Sequence, residues 1–558
     1  VSASVRRSGG IEAALQAASL GWLVLCAGAC SNAQTTIPRV SCPVGQLACG
    51  QQCVDVASDP KSCGACGLPC GADQTCVAGV CTCAAGTFAC NGSCVTAASA
   101  PAACPAEAQP TLVTSAPGAY WNTDGQLTAV TDGKADVTVD DSATAQTWEG
   151  FGGAFNELGW SYLSLLGEED RARALQLLFG ADGARFTFGR IPIGASDYAV
   201  DRYTDDEVPS GSTDYDLTAF SISRDLQALI PYVKAAQAVK PTIRLWASPW
   251  TPPTWMKEGP FSSGNLSTPF DGGAMKGDAA TLDAYARYLI AFVSAYAQQG
   301  LTIEAVSAQN EPNYTGTYPT CSWSPQTYTA FIGQHLGPAL AASGLTTKLM
   351  LGTLNGSGSD PGILSSVMGD DVARGYVGAL GFQWGMKSRV GSSKAYDLPI
   401  WQTEHMCGNY PWVTPFNASA APNDDAYAVE SWGLIRDWIN AGATAYSAWN
   451  MVLDTTGVGI DSTRIWPQDA LLVVDTTNKA LIVTPAFQVF RHVSRFVAPG
   501  AKVLKASGGD AVAFKNPDGT VAAVVHNGGA ARILTVALAG KMWRFAMPAA
   551  GWATVLGR

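Results

Sequence analysis

The stretch Leu301-Thr-Ile-Glu-Ala-Val-Ser-Ala308-Gln-Asn310-Glu311-Pro312-Asn-Tyr314 is largely apolar and β-compatible as far as Ala308, then turns polar at once. A short apolar run bounded by turn residues reads as a buried strand, here one that delivers a carboxylate at its C-terminal end. Pro312 disfavours helix at Glu311 and points it toward an extended or turn conformation. Alone, Asn310-Glu311-Pro312 reads equally well as an ordinary strand-to-loop junction. Leu398-Pro-Ile-Trp-Gln-Thr-Glu404-His405 repeats the pattern, with its glutamate 93 positions further on. Hydrolysis of a glycosidic bond needs two carboxyl groups flanking the scissile oxygen, one protonated and one ionised. Glutamates at the ends of separate barrel strands supply that pair, because those ends share one face.

Outward from these two, strand candidates lie near 148–155, 186–193, 242–248, 303–308, 348–353, 378–384, 399–403 and 443–449. Helical patterns such as Glu168–Leu178, Ser223–Ala238, Ala280–Gln298 and Tyr427–Asn440 fall between them. Eight strands interleaved with helices predict an α/β fold, a (β/α)8 TIM barrel over 146–475. After 475 the pattern becomes strands with short turns: Ala480–Thr484, Lys502–Ala506, Ala511–Lys515, Val521–His526, Ile533–Ala539 and Trp543–Ala546. Asn516-Pro-Asp-Gly519 is a hairpin signal. Residues 476–558 therefore read as an antiparallel β-sandwich side domain. Leu127–Asp140 reads as two strands around Asp132-Gly133, and the strands of 118–145 are expected to join that domain.

A chain of 558 residues exceeds one compact core and suggests two to four units. Apolar content of 47 % with 14 % charged residues describes a globular protein. The net charge of −11, without basic blocks, argues against nucleic acid or an anionic membrane as partner. Neutral glycans fit, although charge alone does not select them.

Fourteen of the sixteen cysteines precede residue 105, which indicates an oxidising compartment and a disulfide framework. Residues 1–30 read as an export signal, with Arg6 and Arg7 ahead of the apolar Ala13–Ala29. Ala27-Gly28-Ala29-Cys30 is close to a bacterial lipoprotein cleavage box, with alanine in place of leucine. Simple secretion and a cell-surface lipoprotein on Cys30 both stand, the first favoured. No other segment reaches the roughly 20 apolar residues of a membrane span. Within 42–104, Cys42, Cys49, Cys53 and Cys63 recur as Cys83, Cys90, Cys94 and Cys104, each shifted by 41. This small disulfide-rich module lacks the apolar residues for a core, so covalent links substitute for one. A stapled spacer is favoured over a wall anchor or glycan-binding module. A zinc reading of Cys63-x2-Cys66 is disfavoured, since no histidine precedes His335. Residues 105–117 read as a Pro/Ala linker.

Further motifs fall in order along the barrel: Trp148-Glu-Gly-Phe-Gly-Gly-Ala-Phe155, Arg190-Ile-Pro-Ile-Gly-Ala-Ser-Asp197-Tyr198, Trp246-Ala-Ser-Pro-Trp250-Thr-Pro-Pro-Thr-Trp255-Met-Lys257 and Trp449-Asn450. With Gln309-Asn-Glu-Pro312 and Trp401-Gln-Thr-Glu404, they make residues 118–558 resemble glycoside hydrolase family 30, which includes glucosylceramidases and endo-β-1,6-glucanases. The resemblance implies a retaining mechanism, with Glu311 as acid/base at the end of strand 4 and Glu404 as nucleophile at the end of strand 7. It also implies that Asn310 bonds the sugar 2-OH, that Asp197 binds sugar hydroxyls and that Arg190 orients the nucleophile. The alternative for Arg190 and Asp197 is a structural ion pair at the barrel rim. Trp250, Trp384 and Trp449 each end a strand, where an indole is either ordinary core or a platform for the apolar face of a pyranose, the second favoured for Trp250 and Trp449. One departure stands out: many relatives carry His-Trp-Tyr on strand 6, where this chain has Gln383-Trp384-Gly385.

Cys321 and Cys407 follow the two catalytic strands and are expected to bond to each other. His405 is read as a core or loop histidine; no metal and no cofactor are expected. The leading expectation is a secreted β-glycosidase acting on β-glucosyl linkages, with loops 201–216, 257–278 and 409–425 setting the sugar. The same chemistry on β-1,6-galactan, xylan or β-fucosides is the alternative within enzymes. A non-catalytic glycan-binding or adhesion protein is the alternative outside them.

Overall fold

The computed structural model describes residues 111–558 apart from 132, 262–268, 357–359 and 461–464; of the first 110 it describes 42, 43, 46–49, 52–56, 58–63, 69, 70, 74–77, 80–82, 87–90 and 93–96. The export signal, Cys30, the first part of the linker and Asp132 lie outside the described residues. The chain divides into two compact units, Val1–Glu107 and Ala108–Arg558.

In the first unit, the sequence repeat is also a backbone repeat. Leu47–Cys49 pairs antiparallel with Gln52–Val54, and Thr87–Cys90 pairs with Ser93–Thr96. Leu47 opposes Val54 and Phe88 opposes Val95, so both partners shift by the same 41 positions. Disulfides join Cys42 to Cys53 and Cys63 to Cys76. Cys49, Cys70 and Cys94 are disulfide-bonded as well. These sulfurs are therefore not the thiolates a zinc site requires.

The second unit holds a closed parallel barrel whose strands follow chain order. We label them β1 (Gly150–Ala154), β2 (Phe188–Ile193), β3 (Arg244–Pro249), β4 (Ile303–Ser307), β5 (Lys348–Leu354), β6 (Val377–Gln383), β7 (Ile400–Glu404) and β8 (Ala445–Asn450). All eight lie where the apolar runs predicted them, because strands covered on both faces read as continuous apolar segments. Inside the barrel, Phe188, Trp246, Met350 and Trp401 interleave with Ala305, Ala379 and Ala445, a packed plug and not a pore. Below the plug, Arg244 joins Glu149 at 3.0 Å and Glu304 at 2.5 Å.

Helix Ala279–Gln298 illustrates how the outer layer fixes the mouth. Asp278 caps it by accepting from Thr281 N at 3.0 Å, a contact worth about 1 kcal/mol. Its inner face buries Tyr285, Tyr288, Leu289, Phe292 and Tyr296. Tyr285 Oη donates to the carbonyl of Ala308 at 2.9 Å, two residues before Asn310.

The side domain is a ten-stranded sheet folded over one apolar core to make a sandwich. Val137–Thr147 is the bend: it runs antiparallel to Lys502–Ser507, with two register shifts, and parallel to Arg532–Leu538. The sandwich is thus not wholly antiparallel. The 516–519 turn closes a hairpin as expected, with Gly519 at φ +84°.

Several boundaries differ from the sequence reading. Thr111–Ala116, read as linker, is a strand paired with Gly551–Gly557. Thr128–Val130 and Val137–Thr147 are not each other's partners; the first pairs with Lys541–Met547. Ala480–Val483 belongs to a three-stranded sheet with Val452–Asp454 and Leu472–Asp475, outside the sandwich. The amphipathic helix Pro485–Ser494 follows and packs on helix Asp425–Ala441, so barrel-type structure continues past 475.

Candidate active site

Backbone hydrogen bonds from both neighbouring strands hold the end of β4. Asn310 N donates to Pro249 O of β3 at 2.7 Å, and Glu311 N donates to Thr353 O of β5 at 2.9 Å. Glu311 adopts φ +46°, and its carbonyl accepts from Tyr314 N at 2.8 Å. The residue before Pro312 thus takes the turn option, in the left-handed region. A non-glycine residue there costs of order 1–3 kcal/mol and persists only where surrounding contacts fix it.

A register shift aims Glu404. Phe382 pairs with Gln402 while Gln383 pairs with Glu404, leaving Thr403 as an extra residue on β7. The bulge re-aims the strand end. It brings Glu404 beside the β6 terminus, where Trp384 Nε1 donates to Glu404 Oε1 at 3.2 Å.

Arg190, on β2, is fully buried. Its Nη1 donates to Glu404 Oε2 at 2.5 Å, Nη2 to Asn310 Oδ1 at 2.6 Å, and Nε to Ser248 Oγ at 3.1 Å. The guanidinium lies 4.2 Å from the Trp250 ring centroid and 5.3 Å from that of Trp449, a cation–π arrangement that helps compensate its desolvation. Thr353 Oγ1 also donates to Asn310 Oδ1, at 2.7 Å. Two donors on Oδ1 fix the amide orientation and leave Nδ2 as its donor.

Glu311 has neutral partners instead. Gln383 Nε2 donates to its Oε1 at 2.8 Å, and Tyr318 Oη lies 3.3 Å from its Oε2. Burial raises its pKa to about 8, and the negative charge of Glu404 adds to the shift. Burial also pushes Glu404 upward, against the charge and hydrogen bond of Arg190. The same desolvation lowers Arg190. Burial thus disfavours charge on both partners, but their short contact favours ionising them together. The neutral member of the carboxyl pair is then Glu311.

Both carboxyls line one cleft of about 460 Å³, with Asp197, Tyr198, Trp250, Asn310, Trp384 and Trp449 among its walls. Seven of the eight residues singled out in the sequence therefore meet there; Arg190 lies beneath, bonded to two of them. Arg190 ion-pairs with Glu404, the partner the family resemblance implied; a rim pair with Asp197 was the alternative reading. Trp250 and Trp449 stack at 5.3 Å with a 26° interplanar angle, so part of each ring is spent on the other and on Arg190.

The sequence reading missed Tyr318, Asn355, Trp412, Trp466 and Gln468, which also line the cleft. Gln383, where this chain departs from the family pattern, reaches the site through Glu311. The one available signal was the aromatic density of the loops after β4 and β7. Cys321 and Cys407 are both free and buried, which corrects the expected disulfide. They pack in different apolar clusters, Cys407 with Trp250 and Trp449, Cys321 in the main core. His405 is buried, with Nδ1 2.5 Å from Tyr446 Oη and Nε2 3.0 Å from Ser431 Oγ. Burial lowers its pKa to about 3. Among the described residues, the one close grouping of metal-type donors is Cys63, Cys70 and Cys76, all disulfide-bonded.

A closed (β/α)8 barrel with two buried carboxyls and an aromatic cleft at the strand ends has the architecture of a barrel glycosidase. Residues 148–497 match the family model described as the glycosyl hydrolase family 30 TIM-barrel domain, and residues 500–555 match the family's beta sandwich domain. The chain belongs to glycosyl hydrolase family 30 and is a glycoside hydrolase. It is 30 % identical to putative glucosylceramidase 3 of Caenorhabditis elegans, over 65 % of this chain and 69 % of that protein. Identity to the lysosomal acid glucosylceramidase of Mus musculus is 27 %, over 70 % and 77 % of the two chains. An endo-1,6-beta-D-glucanase of Trichoderma harzianum is 28 % identical, over 70 % and 80 %. In fold, the chain is similar to SrfJ from Salmonella typhimurium, with TM-score 0.70 and 24 % identity, covering 81 % of this chain and all of that one.

Proposed function

We propose that this protein is a secreted retaining β-glycosidase that cleaves β-glucosyl linkages by double displacement. Glu404 is the nucleophile and Glu311 the acid/base. Asn310, Asp197, Trp250, Trp384 and Trp449 bind the sugar, and Arg190 holds Glu404 in place. The observation that carries this reading is the asymmetry of the two carboxyls: Glu404 meets a guanidinium, whereas Glu311 meets an amide and a phenol. Their environments push one toward the anion and the other toward the acid.

In the first step a Glu404 oxygen attacks the anomeric carbon as the glycosidic C–O bond breaks, and the Glu311 proton goes to the leaving oxygen. Esterification removes the negative charge at Glu404, so Glu311 becomes more acidic and its carboxylate can act as base. Water then gives a proton to Glu311 and attacks the same carbon, and the ester bond breaks. The Nδ2 donor of Asn310 suits a sugar hydroxyl whose hydrogen bond strengthens in the transition state.

The relatives named glucosylceramidase and endo-1,6-beta-D-glucanase favour a β-glucoside. The disulfides of the first unit favour an oxidising, extracellular-type compartment. The test is turnover of aryl β-glucoside, β-1,6- and β-1,3-glucan, galactan, xylan and glucosylceramide, with Glu404→Gln as blank. A glucosyl substrate hydrolysed by the parent and not by the variant is expected. Turnover of galactan or xylan alone would move the sugar assignment, and equal rates in both proteins would overturn the site.

A further inference from the structure

Trp412 is 58 % exposed, and every other tryptophan among the described residues is buried or half-buried. It lines the cleft with Trp466. The two rings lie 5.0 Å apart at 70°, and Trp384 is 6.4 Å from the first and 6.0 Å from the second. Trp466 is anchored by its N–H, which donates to Gly408 O at 3.1 Å. Tyr410 backs Trp412 at 5.4 Å, its own hydroxyl held by Glu430 at 2.6 Å. Three loops, those after β6, β7 and β8, thus bring indoles to one wall. The inner rings are held by hydrogen bonds, whereas Trp412 shows more than half its surface to solvent.

From this we infer that Trp412 and Trp466 form an outer subsite that stacks a second sugar ring of an extended β-glucan. The inference rests on the glycosidase reading above and adds the length of the ligand to it. Lining chemistry separates a sugar chain from a lipid tail. The apolar surface of the cleft comes from indoles and phenols, interspersed with Asn355 and Gln468; no Leu, Ile, Val, Met or Phe is among the described lining residues. Flat rings beside amide groups suit a pyranose, which has an apolar face and an equatorial rim of hydroxyls. An acyl chain would favour aliphatic walls without such donors. Exposed Val413 and Ile465 flank the two tryptophans but do not line the cleft.

Binding is measured on the full chain carrying Glu404→Gln, which should not consume the ligand, and the recovered ligand is checked for cleavage. The probes are β-1,6-gluco-oligosaccharides of two and five units and glucosylceramide in detergent micelles. The five-unit ligand should bind more tightly than the two-unit ligand. Adding Trp412→Ala or Trp466→Ala should weaken the five-unit ligand about tenfold more than the two-unit one, equivalent to ~1.4 kcal/mol. Trp412→Phe should keep most of the difference, and thermal melts check that each variant folds. Equal affinity for both lengths in the parent, or equal losses for both in the variants, would overturn the subsite. A loss confined to glucosylceramide would give the wall to a lipid and overturn it too. Aryl β-glucoside turnover by the unmutated chain tests the glycosidase reading separately.

Discussion

Gln383 Nε2 donates to Glu311 Oε1 at 2.8 Å, while its own Oε1 is buried with no partner among the described residues. An amide rotated by half a turn accepts where it had donated. Gln383 can therefore donate to Glu311 as carboxylate and accept from it as acid, the two states it passes through in the proposed cycle. Leucine can do neither. Gln383→Leu should lower kcat on an aryl β-glucoside by about tenfold or more, since a hydrogen bond to a charged group is worth ~1.5–3 kcal/mol. A rate within twofold of the parent would remove Gln383 from the mechanism.

The pH profile follows from Glu311. Burial first, then Glu404, raises it to about 8, so the protonated acid predominates below that pH and is lost as pH rises through it. The basic limb of kcat/KM should fall near pH 8 and should be absent from substrates whose leaving group needs no proton. Linkage has the same sign: a carboxyl whose folded pKa is raised contributes stability below its unfolded value, and that contribution is lost as pH rises through the folded pKa. Glu311→Gln should therefore gain thermal stability relative to the parent at pH 9.5 compared with pH 6. A constant difference between the two melts would contradict the raised pKa.

Arg190 is a fork with three bonded groups, Glu404, Asn310 and Ser248. Lysine keeps a charge but not the planar geometry. Arg190→Lys should fold and lose about 100-fold in kcat, roughly 2.7 kcal/mol, within the range for charge-assisted hydrogen bonds. Arg190→Ala leaves Glu404 buried without its cation, and thermal melts should register a loss of about 3–5 kcal/mol. An Arg190→Lys enzyme of parental kcat would make the guanidinium a purely structural group.

The eight barrel strands were legible because each is a buried apolar run. Pairing across the chain was not. Thr111–Ala116 has the Thr/Ser composition of a linker and becomes a strand only because Gly551–Gly557, more than 430 residues away, runs beside it. The side-domain strands at 128–130 and 137–147 were locatable, yet their partners lie near the C-terminus. At the site, Glu311 and Glu404 stood out because each ends an apolar run. The contacts of Gln383 and Trp384 depend on a one-residue bulge in β7, which no local pattern announces.

Cys321 and Cys407 are free, and burial raises both thiols, Cys321 to about 12. Neither should react with iodoacetamide in the native protein, and both should be alkylated after unfolding without reductant, as mapped by mass spectrometry of their peptides. A linked Cys321–Cys407 peptide would contradict the structure.

The central claim is that Glu404 forms the covalent bond to the sugar. Glu404→Gly removes the nucleophile and leaves space in the cleft, so added azide should restore turnover of an activated aryl β-glucoside and yield the α-glycosyl azide, inverted at the anomeric carbon. Azide without effect on a folded Glu404→Gly protein, or an azide product of β configuration, would contradict the assignment.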